Sequence, residues 1–162
     1  MRLTIGPRRG PALVALVTIL GALMLLARPA GAQSEINVFS ASGGRHAFQD
    51  VGEDGLRLGD RLTARFPLTD ATGESTLGKG HLDCVVQRQI TDGPEGPGGL
   101  YRCSYLLRLA EGDLIIEGLD PHGPGVYTMA VLGGTGAFAG ATGEATLTDT
   151  SVTTEFVISL IS

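Results

Sequence analysis

The chain has no tryptophan, only two cysteines and three histidines, and aromatic residues make up 5% of its 162 positions. Two cysteines cannot staple a disulfide-dense scaffold. His46, His81 and His122 are widely spaced, with no cysteine or carboxylate at ligand spacing, so no metal site is expected. Basic residues are scarce beyond the N-terminus. Arg2, Arg8, Arg9 and Arg28 precede residue 33 and all 17 acids follow it, leaving eight bases against 17 acids, a net charge of −9. That balance disfavours nucleic acid and anionic membranes as partners. From Asp60 onward no apolar series at i, i+3, i+4, i+7 occurs, so amphipathic helices are not the building blocks.

What is present begins with a secretory signal. Arg2, Arg8 and Arg9 are followed by an apolar stretch from Pro11 to Ala27 and by Ala30-Gly31-Ala32, a small-residue cleavage site. Residues 1–32 are therefore read as a cleaved signal peptide, and 33–162 as one secreted or periplasmic domain with no remaining membrane span.

In that domain, short β-rich runs recur every 8–14 residues or so, divided by Gly, Pro and Asp. Strands are expected at Ser34–Ser40, Asp60–Thr69, Lys79–Ile90, Leu100–Leu109, Asp113–Leu119, Val126–Leu132, Ala141–Thr148 and Val152–Ile161. Glu111-Gly112 reads as a tight hairpin turn, and Thr91 to Gly99 as irregular. About eight antiparallel strands are enough to close a small barrel, so the fold class is all-β. In the last strand Val152, Thr154, Phe156, Ile158 and Leu160 would share one face, and Thr153, Glu155, Val157, Ser159 and Ile161 the other. Both faces are fairly apolar, and the outer one could serve a subunit contact in a homo-oligomer.

Cys84 and Cys103 lie on opposite arms of the proposed long hairpin, nearly equidistant from its centre. Export favours a disulfide between them, worth roughly 3 kcal/mol in the chain-entropy model. The same positions would also suit two buried, reduced thiols. The glycines at 134, 136 and 140 miss the spacing of a dinucleotide-binding loop, and Glu144 to Thr148 alternates like a strand. They suit a corner of a sheet, with Phe138 tucked into one barrel end. Asp120-Pro121-His122-Gly123-Pro124-Gly125 reads as a rigid loop at a barrel mouth.

Gly59-Asp60, Gly80 to Val86, Tyr101 to Tyr105, Glu117-Gly118 and Gly133 to Gly143 occur in an order that resembles the allene oxide cyclases, whose barrel is similar to that of dirigent proteins and bacterial polyketide cyclases. The resemblance covers nearly all of 33–162. A shorter match, Glu35-Ile36-Asn37, corresponds to a tripeptide in the first strand of the plant enzymes. By that resemblance Glu35 and Asn37 are the candidate catalytic residues, and Cys84 stands where the family's cysteine lines the pocket. Gly43-Gly44 stand where the family has a Ser-Pro pair. Tyr105 and Tyr127, both within strands, are further candidates to offer a hydroxyl to a ligand in the lumen.

The resemblance implies a cofactor-independent cyclase or isomerase. It would bind a hydrophobic unsaturated or epoxide-bearing molecule in its lumen and direct ring closure. The alternative is an exported dirigent-like or lipocalin-like binding protein that performs no bond chemistry.

Overall fold

Alternating apolar and polar residues put one face of each strand against a common core, and closing the sheet leaves that face nowhere else to go. In the computed structural model, residues 34–161 are described, except 42–43, 53–54, 94–95, 122 and 151. The strands are β1 (Ser34–Ser40), β2 (Arg45–Gln49), β3 (Arg61–Thr69), β4 (Thr76–Gly93), β5 (Gly96–Leu109), β6 (Gly112–Asp120), β7 (Gly125–Gly134), β8 (Thr142–Asp149) and β9 (Thr154–Ile161). One 3-10 turn, Gly136–Phe138, joins β7 to β8. The expected signal segment and His122 lie outside the described residues.

All pairings are antiparallel, in the order β1-β9-β8-β7-β6-β5-β4-β3-β2, and β1 returns to β3 through Phe39 opposite Thr69 and Ser40 opposite Leu68. Eight strands thus form a closed barrel. β2 is an additional strand that runs along β3, with Arg45 opposite Arg65 and Gln49 opposite Arg61.

The interior is filled by alternate residues of every barrel strand. Val38, Leu68, Leu107, Leu114, Ile116, Leu147, Phe156 and Ile158 are all buried. The Phe66 ring stacks on Phe156 at 6.3 Å, and Tyr105 meets Phe156 edge-on at 5.3 Å. Phe66 lies across β4 at Gly80, where any Cβ would collide with its ring. At the turn between β5 and β6, Gly112 has φ 153°, and a Cβ there would collide with the Thr135 carbonyl. Phe138 packs against the core from that same end, as expected.

Two expectations are corrected. β2 carries no apolar alternation and all five of its residues are exposed, so no burial pattern announces it. Thr91 to Gly99 is not irregular throughout: β4 continues to Gly93 and β5 begins at Gly96, with register shifts after Val86 and Ile90. Ladder hydrogen bonds need only backbone, so glycines lengthen the hairpin at the cost of regular register. The Cys84–Cys103 disulfide is formed, joining directly opposed residues of β4 and β5 whose Cα atoms are 4.0 Å apart.

Candidate functional site at the barrel mouth

β6 ends, and β5 and β7 begin, at one end of the barrel, and there the apolar filling gives way to polar groups. The inward parity of β6, set by Leu114 and Ile116, carries through Gly118 to Asp120. Asp120 is directly opposite Tyr101 of β5 and is 6% exposed.

Two phenols converge on one oxygen of that carboxylate. Tyr105 and Tyr127 each donate to Asp120 Oδ2, both at 3.2 Å. Tyr105 lies further along β5 than Tyr101, opposite Ile116, and Tyr127 near the start of β7, so the three side chains close a triangle across adjacent strands. Cys103 Sγ lies 3.8 Å from the same oxygen. A bridged sulfur carries no hydrogen, so this is a contact without donation. Cys84, Cys103 and Asp120 could present ligand atoms within 4.8 Å of one another. Oxidised sulfurs are not thiolate donors, however, so the disulfide-bonded form does not offer a metal site there.

The electrostatics keep the phenols protonated. Burial pushes the Tyr105 hydroxyl well above the usual tyrosine value, and the neighbouring Tyr127 and Asp120 push it further. Tyr127 is also raised, mainly by burial and then by Asp120. Tyr101 is raised by burial, then by Asp120 and Asp60. Tyr105 and Tyr127 each have one proton, donated to Asp120 in this state. Turned to an arriving carbonyl or incipient oxyanion they would hold it, and the carboxylate so released can accept a proton.

A second buried carboxylate braces the segment leading into β3. Asp60 Oδ1 accepts from Val51 N at 2.9 Å and Oδ2 from Arg57 N at 2.6 Å. Its backbone joins β4 through Val86 N to Asp60 O at 2.9 Å. Gln89 Nε2 donates to the Leu56 carbonyl, and Leu56 packs against the core beside Tyr101.

The structure thus gathers three of the expected pocket residues, Cys84, Tyr105 and Tyr127, around Asp120. Glu35 and Asn37 are placed elsewhere. On β1 the inward residues are Ile36 and Val38, opposite Ile158 and Phe156, so Glu35 and Asn37 project from the outer wall and are exposed. Asn37 Nδ2 donates to Glu155 Oε1 at 3.0 Å on that wall. An exposed carboxylate lacks the low-dielectric surroundings that its expected role in the lumen requires. Asp120 escaped the sequence reading because Pro121 and the glycines after it read as a turn. The period-2 series 114, 116, 118, 120 was the signal that could have found it.

No protein-family model matches the chain, and no curated protein matches its sequence. Solved structures do resemble it in fold. A pyocyanin demethylase aligns with a TM-score of 0.64 at 22% identity, covering 78% of this chain and 99% of that one. An exo-specific intermolecular Diels-Alderase aligns at 0.59 and 18% identity, covering 80% of this chain and 98% of the other. The pterocarpan synthase dirigent protein aligns at 0.54 and 19% identity, covering 80% and 84%. The fold is therefore a barrel of the kind found in cyclases and dirigent proteins.

Proposed function

We propose that this chain is a cofactor-independent cyclase or isomerase. It would hold a hydrophobic, unsaturated substrate at the barrel mouth and steer ring closure there. The observation that carries this reading is the convergence of Tyr105 and Tyr127 on Asp120 at the end of an otherwise apolar interior. An apolar wall confines a flexible chain near its reactive conformation, which by itself can lower a barrier by several kcal/mol. The phenols would orient and polarise a carbonyl or epoxide oxygen, and Asp120 would receive a proton where the reaction releases one.

The structural neighbours support small-molecule chemistry in such a barrel: one is a demethylase of pyocyanin, one a Diels-Alderase and one a pterocarpan synthase dirigent protein. The allene oxide cyclase resemblance supports epoxides as one substrate class. The outward position of Glu35 moves the proposed chemistry to Asp120 and the tyrosines. The disulfide and the absence of a membrane-crossing helix among the described residues are compatible with export, which favours a carrier as the second reading.

Ring closure and isomerisation leave mass unchanged, so they can be followed without knowing the substrate. The purified protein is incubated with apolar extracts and the mixture resolved by chromatography and mass spectrometry. Time-dependent replacement of one species by an isobaric one of different retention is expected, and Asp120→Asn should slow it. Retention of an unaltered ligand would establish the carrier, and neither outcome across several extracts would overturn both readings.

A further inference from the structure

The outer wall formed by β2, β3, β4 and β5 carries a cleft of about 540 Å³, on the far side of the strands from the Asp120 centre. Its lining includes Arg45, His46, Arg65, His81, Asp83 and Leu106. The register places three of the cationic or imidazole side chains in one cross-strand row: Arg45 opposite Arg65, Arg65 opposite His81, and His81 opposite Leu106.

Directly opposed like charges on a sheet repel, so this row is unfavourable in the empty protein. Nearby arginines are neutralised. Arg61 meets Asp83, Arg102 meets Glu117 and Arg108 meets Asp113. Arg45 and Arg65 have no ion-pair partner among the described residues. Asp83, the one carboxylate among the lining residues, is taken by Arg61: Nε donates to Oδ1 at 2.7 Å and Nη2 to Oδ2. The cleft is thus left cationic on a domain whose bases number eight against 17 acids.

We propose that this cleft is a second ligand site, for a small organic molecule bearing a dianionic head of the phosphate monoester type. The Arg45 and Arg65 guanidinium forks would take the head, as planar donors suited to paired oxygens. His81, in the same cross-strand row, would add a donor beside it. Leu106 and the Ala47 methyl would meet the organic body. The site is independent of the lumen chemistry, because these side chains project from the outer face of the sheet.

The test is isothermal titration of the purified protein with phenyl phosphate, inorganic phosphate and benzoate at low ionic strength. Saturable binding of phenyl phosphate is expected, about tenfold tighter than inorganic phosphate and than benzoate, and weakening as salt is added. The Arg45→Gln, Arg65→Gln pair should lose at least about tenfold in affinity, while Lys79→Gln, on the same sheet outside the cleft, should not change it. Thermal melts of the empty variants give a second readout: relief of repulsion should leave the melting temperature of the Arg pair unchanged or raised. Absence of saturable phenyl phosphate binding would overturn the proposal. So would equal binding by the Arg45, Arg65 variant, or benzoate binding as tight as phenyl phosphate.

Discussion

Tyr105 donates to Asp120 Oδ2 although its own strand partner is Ile116, four residues earlier on β6. The tyrosine therefore leans along the barrel axis, edge-on to Phe156, and ties the packed interior to the mouth. Breaking that tie should be measurable. Tyr105→Phe deletes one donor to a buried carboxylate but leaves Tyr127 in place, and should cost roughly 1–2 kcal/mol in urea denaturation. Tyr105→Phe with Tyr127→Phe should cost more than the two separately, because Asp120 then loses both donors.

All three tyrosines of the chain have raised pKa values in the fold, so a spectrophotometric titration of the native protein should show no tyrosinate step at the ordinary value near 10. The linkage sign follows. The unfolded chain releases these protons from about pH 10, before the folded one does, so stability is unaffected by them below that pH and falls above it. Asp120→Asn removes a negative neighbour of all three and should bring their titration down, while burial keeps Tyr105 and Tyr127 above the ordinary value. A native step near 10 in the wild type would contradict this.

The Cys84–Cys103 bridge closes a loop between residues 19 apart in sequence. Cys84→Ala with Cys103→Ala should lower stability by about 3 kcal/mol. A thiol count on the unfolded, unreduced protein should find none free.

Asp60 is fully buried and accepts two backbone N–H groups of the segment before β3. Asp60→Ala orphans both donors, at a cost of roughly 1–3 kcal/mol. Hydrogen exchange should accelerate at Val51 and Arg57 before it does so in the β5–β6 ladder.

The parts of this fold that were legible in the sequence are those where burial and chain periodicity coincide. β9 alternates Phe156, Ile158 and Leu160 inward with Glu155, Val157 and Ser159 outward, and β1 was bounded correctly by the same logic. β2 buries nothing, so its residues carry no alternation. The candidate site was half legible. Tyr105 and Tyr127 stood out as hydroxyls on strands, but their meeting depends on cross-strand register, which no single segment encodes. The placement of Glu35 shows the hazard of a short match: its parity, opposite to Ile36 and Val38, already put it on the outer face.

The most direct test of the mouth as the reactive centre is a crystal structure of the protein with a ligand captured from an apolar extract. The ligand's oxygen is expected within hydrogen-bond distance of the Tyr105 or Tyr127 hydroxyl, its apolar body against the rim of the barrel mouth. A ligand seated away from Asp120, with these tyrosines untouched, would contradict it.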